Sequence, residues 1–348
     1  MKRAMLAMLV MIFPLTAAAQ DATGPAATST ATDSTVSAPT SDAAAQSTMY
    51  RGTKRRGSMV GYIEDPTVES RIRIRFDAGY DMSSPDRAEF FYGKCGCYRD
   101  LAGSPALDPD APGPGPGLLT GLNYQQLNFL GEYAFGRMSV FAELPVRWIK
   151  PIDFLPGTGS FDNQSGISDI NAGLKFALAK ADTHDVTFML RGAFANGDPG
   201  KGLGTNHGTI EPAVLFRADM SPRSAIEGEA GFVHPLSSSK GPLPGNGDFA
   251  GDIFYWGIGP SVDVYHSQKT SFSPVIELVG WHVINGYQTS TFLLNGGDAS
   301  GTNIANLKLG ARITSGGNSF YVGYGFALTD SVWYDKILRM EYRATIGR

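Results

Sequence analysis

Arginine and apolar residues alternate strictly in Arg71-Ile72-Arg73-Ile74-Arg75-Phe76, and the alternation runs on through Asp77, Ala78, Gly79 and Tyr80. A strand sends successive side chains to opposite faces. One face therefore carries Arg71, Arg73, Arg75 and Asp77, and the other Ile72, Ile74, Phe76, Ala78 and Tyr80. From here to the C-terminus the chain keeps producing segments of about ten residues, the length of a transmembrane strand. The pattern predicts twelve strands, at 70–80, 122–135, 138–149, 166–178, 185–195, 208–218, 223–234, 251–265, 271–283, 304–314, 318–328 and 337–347.

The same two-faced pattern recurs in later strands. Leu338, Met340, Tyr342, Ala344 and Ile346 alternate with Arg339, Glu341, Arg343 and Thr345. Ile170, Ala172, Leu174, Phe176 and Leu178 alternate with Asp169, Asn171, Gly173 and Lys175. The links add a second rhythm. Short ones at Gly136–Arg137, Ala179–His184, Asp219–Pro222, His266–Thr270 and Ser315–Gly317 alternate with longer ones at 150–165, 196–207, 235–250, 284–303 and 329–336. Outer-membrane barrels alternate short periplasmic turns with longer outer loops. A charge facing lipid at mid-membrane costs about 2–4 kcal/mol, so the apolar face must meet lipid and the charged face the lumen.

The fold class this predicts is all-β, an antiparallel transmembrane barrel of about twelve strands. A single-chain barrel of this kind takes an even number. The strand-like segment 87–98 is therefore assigned to the first outer loop, and fourteen strands would require a second weak strand in the same region.

Composition agrees. Charged residues are 18% of the 348, below the roughly 25% of soluble domains, and Gly (43), Phe (20) and Tyr (14) suit a turn-rich β protein. A net charge of -4 gives no reason to expect a nucleic-acid partner. Lys2, Arg3, an apolar run to Leu15 and Ala17-Ala18-Ala19 predict a signal peptide over 1–19. Residues 20–68 begin as a tract of Ala, Ser, Thr and other small or polar residues, and are expected to form a disordered periplasmic linker, with 69–348 as the barrel. The basic cluster Arg51, Lys54, Arg55 and Arg56 reads first as a solvated linker end, and second as a contact for anionic lipid or wall polymer.

The inward face carries Arg71, Arg73, Arg75, Arg147, Lys175, Arg191, Arg217, Lys308, Arg312, Arg339 and Arg343. It also carries Asp77, Glu132, Glu143, Asp169, Glu211, Glu227, Glu229, Asp263, Glu277 and Glu341. These are the candidate lumen-lining residues. Their near-balance of sign supports two readings, a structural ladder of ion pairs and a polar lining for a solute path. Twelve strands lie between barrels of about 8, filled by side chains, and 16–18, which hold open channels. A narrow or gated pore is expected, with the long first loop at its mouth.

Cys95 and Cys97, the only cysteines, are expected to form a local loop disulfide, with Gly96 supplying the bend. No metal or other cofactor is expected. The glycine-rich 196–209 lacks phosphate-loop spacing, and 108–117 reads as a stiff Pro/Gly loop. A hydrolase would need a base beside its nucleophile, and no His-x-Ser occurs on a strand, so no enzyme is expected.

Three segments carry a resemblance: Ser165–Leu178 (SGISDINAGLKFAL), Gly202–Phe216 (GLGTNHGTIEPAVLF) and Tyr321–Arg343 (YVGYGFALTDSVWYDKILRMEYR). The first is similar to the Gly-x-x-Asp-x-x-x-Gly-Leu-Lys-aromatic strand of the outer-membrane barrel family linked to the MetA pathway of phenol degradation. The others look like segments of an uncharacterised subgroup of it. The resemblance covers about 70–348 and implies passage of hydrophobic or aromatic compounds across the outer membrane of a Gram-negative, diderm bacterium. The family supplies no catalytic residues to carry over. The chain departs from many barrels in ending Ile346-Gly347-Arg348 rather than on an aromatic residue. The expected function is transport, as a narrow channel for small solutes. The rivals are a structural or surface-interaction barrel and, least favoured, a hydrolase. Expected partners are outer-membrane lipid, the barrel-assembly machinery and the solute.

Overall fold

The computed structural model describes residues 57–82, 114, 119–154, 156–157, 159–236, 250–288, 297–330 and 332–347. The signal peptide, the low-complexity tract, the basic cluster and the segment with Cys95 and Cys97 lie outside the described residues. So does 108–117, Pro114 excepted.

Twelve antiparallel strands form the wall: β1 (Arg71–Met82), β2 (Leu119–Phe135), β3 (Met138–Phe154), β4 (Ile170–Lys180), β5 (His184–Phe194), β6 (Thr209–Ser221), β7 (Ser224–Pro235), β8 (Ile253–Val262), β9 (Thr270–Val283), β10 (Asn303–Ser315), β11 (Asn318–Ala327) and β12 (Lys336–Thr345). Each pairs with the next. β12 returns to β1 over ten residues, from Arg71↔Thr345 to Tyr80↔Lys336, so the sheet has no free edge. Short strands supplement it. Gln164–Ile167 pairs the outer part of β3, Tyr265–His266 pairs the start of β9, and Tyr287–Gln288 pairs Gly297–Asp298.

The predicted link rhythm is present. The tightest turns are at Gly136-Arg137 and Gly316-Gly317, where Gly136 (φ 63°) and Gly316 (φ 62°) take the left-handed conformation that a hairpin needs and a Cβ disfavours.

The face assignment fixes the environment of each strand. Ile74, Leu144, Val214, Ile258, Ile276, Leu309 and Val322 are exposed on the outer wall. Aromatic residues flank this band: Phe135, Phe272, Phe320 and Tyr342 toward the short turns, and Tyr80, Trp148, Phe194 and Phe254 toward the long links. Such girdles mark the two membrane interfaces of a barrel. An arginine at Ile276, 51% exposed in the middle of β9, should cost about 2–4 kcal/mol of stability against unfolding in vesicles. A urea titration that leaves the Ile276→Arg barrel as stable as the wild type would refute lipid contact there.

One expectation is corrected. Residues 57–68, assigned to the linker, lie inside the barrel: Met59, Val60 and Ile63 are no more than 1% exposed. The segment has no strand or helix, yet its apolar side chains bury against Val275, Val279 and Tyr321 of the wall. That burial supplies what the composition of residues 20–56 cannot. Tyr321 fits because its neighbours are small: a Cβ on Gly61, Gly310 or Gly323 would fall within 2.3 Å of its side chain.

Candidate functional site

The lumen has two layers. Toward the long links, the inward residues of β2, β3, β8, β9, β10 and β12 include an apolar set, while β5 and β6 carry the Arg191–Glu211 pair there. Leu122, Tyr124, Ile149, Ile253, Val283, Ile304 and Ile337 come from these six strands. They pack in one cluster with Leu203, Ala299, Trp333 and Tyr334, contributed by three long links. Trp333 is 1% exposed and meets Trp281 edge-on at 6.4 Å. This is an apolar cap.

The inner half is charged and holds residues 57–70 as a re-entrant loop. Both limbs lie near the short-turn ends of the strands. On one limb Asp65 pairs with Arg71, the first residue of β1, and the Pro66 carbonyl accepts from Thr187 Oγ1 near the start of β5 (2.6 Å). On the other limb the Met59 amide donates to Glu227 near the start of β7 (2.8 Å). The tip is Tyr62, which reaches the carbonyls of Gly323 and Ile337. Ile337 is at the opposite end of its strand from the short turns.

Backbone groups that a coil inside a barrel would leave unpaired are met by wall charges. Glu277 Oε1 accepts from the Gly61 amide (3.1 Å), and Oε2 from the amides of Tyr62 (2.8 Å) and Ile63 (2.9 Å). Tyr321 donates its hydroxyl to the same carboxylate (2.9 Å). Arg312 donates to the Met59 and Val60 carbonyls, Arg343 to Val60, Arg339 to Gly61 and Lys175 to Asp65. The Tyr62 ring sits between Lys308 Nζ at 4.5 Å and the Arg339 guanidinium at 4.2 Å, both cation–π contacts.

The loop adds two carboxylates to the wall's charges. Glu64 bonds Arg73 (3.0 Å) and lies 3.5 Å from Arg191; Asp65 holds Arg71 and Arg343. Burial pushes both acids up, but these cations and Lys175 outweigh it and hold each well below the usual carboxylate range. The wall carries its own pairs: Arg73 and Arg75 with Glu143, Arg339 with Asp77 (2.6 Å), Arg312 and Arg343 with Glu341 (2.6 Å each), Arg191 with Glu211 (2.6 Å), and Lys175 with Glu132 (3.5 Å). Between Glu64, Arg73, Glu143, Lys175 and Arg191 there remains a cavity of only ≈ 10 Å³, room for about one water.

The predicted lumen residues therefore come together, with Glu229 accepting from the Glu64 amide and Arg217 pairing with Asp219. Arg147 stands apart from the plug and donates to Gln126. Asp169 differs. It falls in a break before β4, and its carboxylate accepts from the amides of Gly197 and Thr205 and from Thr205 Oγ1, clasping a long link. Sequence reasoning missed Met59, Tyr62, Glu64 and Asp65 in the plug, and Trp333 and Tyr334 in the cap. The histidines sit apart: His207 is buried in a link, His234 pairs with Asp252, and His282 contacts Asn303.

Fold and site define a class: a closed twelve-stranded transmembrane barrel whose lumen is plugged by its own N-terminal segment. No family model matches the chain, and no curated protein matches it. Among solved structures it is similar to the COG4313 outer membrane channel from Pseudomonas putida F1, at 12% identity over 82% of this chain and 99% of that one, with a TM-score of 0.47. It is also similar to the NanC porin (8% identity, 79% and 100% covered, TM-score 0.44) and to the Ralstonia pickettii toluene transporter TbuX (11%, 81% and 90%, TM-score 0.39). Likeness at this level carries no function from those proteins to this one.

Proposed function

We propose that the protein is an outer-membrane transporter for small apolar or aromatic solutes, closed at rest, with its long links facing outward. The observation that carries this reading is the layering of the lumen. An apolar cap from six strands and three long links covers part of the long-link half, and there an apolar solute partitions favourably and a hydrated ion does not. Beneath it the plug is held by side chains and not by strand pairing, so it can leave without breaking the wall. The resemblance of Ser165–Leu178 to the family linked to phenol degradation agrees with such a solute. The ion pairs then serve to seat the plug.

The density of buried ion pairs favours a second reading, a structural barrel with a permanently filled lumen. Uptake separates the two. A strain lacking the protein should take up a labelled small aromatic hydrocarbon several-fold more slowly, with sugar uptake unchanged, and the full chain should restore it. Unchanged hydrocarbon uptake together with detergent sensitivity of the envelope would sink transport and leave the structural reading.

A further inference from the structure

A cavity outside the charged lumen remains to be accounted for. It has a volume of ≈ 370 Å³ and lies at the long-link end of β1, β2 and β3, lined also by the segment before Gln164–Ile167. We propose that it is a site for the phosphorylated saccharide headgroup of a glycolipid in the outer leaflet.

The register places the lining. Gln125 pairs with Trp148, Asn123 with Lys150, and Trp148 in turn with Ser165. In β2 and β3 the inward positions here are Tyr124 and Ile149, both buried, so Gln125, Trp148 and Lys150 point outward and are exposed. Tyr80 of β1 is exposed beside them. The cavity therefore opens on the outer wall, at the edge of the apolar band, where headgroups lie and not acyl chains.

Its chemistry matches a sugar better than a tail or a bare anion. Two aromatic side chains, Tyr80 and Trp148, offer flat apolar faces for the C–H surface of a hexose. Amides from Asn123, Gln125 and Asn163 offer donors and acceptors together, as a ring of hydroxyls requires. Among the described residues lining the cavity, Lys150 is the only ionisable group apart from the tyrosines and none is a carboxylate, which favours a phosphate on the sugar. Gln125, Lys150 and Asn163 have no side-chain partner among the described residues, in contrast to the saturated charges of the lumen. Polar groups at a membrane edge without protein partners are free to bind a lipid.

The inference rests on the outward orientation of the long links proposed above, but its test does not use transport. Native mass spectrometry of the full chain in detergent, with lipid A added, should show retained lipid A adducts. Trp148→Leu with Lys150→Gln should weaken retention by about tenfold. Asn163→Leu lies off the twelve strands and should weaken it in the same direction if the double variant fails to fold. Phosphatidylglycerol, anionic but without a saccharide, should not be retained. Equal retention of phosphatidylglycerol would mean an ordinary anionic-lipid contact. Undiminished lipid A binding in correctly folded variants would place the lipid elsewhere. Either result overturns the proposal, and because the assay involves no solute gradient, a failed uptake experiment leaves it standing.

Discussion

A barrel that begins at Glu69 and carries Trp333→Ala should conduct ions in discrete steps across a planar bilayer, while the full-length wild type stays silent. The two changes address two closures in series. The truncation removes the loop whose Met59, Val60 and Ile63 fill the charged half, and water then takes over the hydrogen bonds that Glu277, Arg312 and Arg343 now make to its backbone. Substitution of Trp333 opens the apolar cap, which would otherwise exclude ions by dewetting. Each single change should leave the barrel almost silent. In the doubly changed barrel, Arg73→Gln with Arg75→Gln should shift selectivity toward cations, because two positive groups leave a path still lined by Glu143 and Asp77. Conduction by Trp333→Ala alone, at the level of the combined variant, would show that the plug is no barrier. Silence of the combined variant, with the heat-shifted gel mobility of a folded barrel, would remove the path altogether.

The second large effect belongs to Glu277. Its carboxylate accepts from three plug amides and from the Tyr321 hydroxyl, and it is fully buried. Glu277→Ala leaves three N–H groups without acceptors, at about 1 kcal/mol each, so seating of the plug weakens by about 3 kcal/mol. That is about a hundredfold in the seating equilibrium. Hydrogen exchange followed by mass spectrometry should show residues 57–68 exchanging about a hundredfold faster, with peptides from β9 and β10 unchanged. The contrast matters because the strands keep their own ladder when the plug leaves. Tyr321→Phe, which removes one donor, should produce a change of about tenfold or less. Faster exchange in the neighbouring strands would make Glu277 a wall residue, and no change at all would mean that the plug is held elsewhere.

Most of the wall was legible because a barrel strand imposes a two-residue period and a fixed penalty on every misplaced charge. Arg71, Arg73 and Arg75 could face only one way, and the other strands followed by the same logic. Asp169 misled because periodicity does not reveal a break in a strand: Ser168 and Asp169 interrupt the pairing that Gln164–Ile167 begins. The apolar cap was present in the same parity, since Leu122 and Tyr124 share a face with Glu132, and Ile337 with Arg339 and Glu341. What the alternation lacks is depth, and so the charged and apolar layers merged into one face. The plug was hidden for a different reason. Gly57–Ser70 has no period because nothing about its backbone is regular; its partners are carboxylates and guanidiniums up to 283 positions away in sequence, as from Val60 to Arg343. The signal it did carry was local: Met59, Val60, Tyr62 and Ile63 are four apolar residues directly after a tract that has few.

The re-entrant course of residues 57–70 also bears on how the molecule is put together. A segment that crossed the lumen from one mouth to the other would have to be threaded through a ring or enclosed as the ring closed. Here the tip at Tyr62 points away from the short turns and both limbs of residues 57–70 return toward them, so this segment enters and leaves by the same mouth. The wall can be completed by the joining of β1 to β12 first and filled afterwards, like a bottle stoppered with a folded strip. Order of assembly and reversibility of closure are therefore the same property: the loop that can slip in late can also slip out, with no knot to undo.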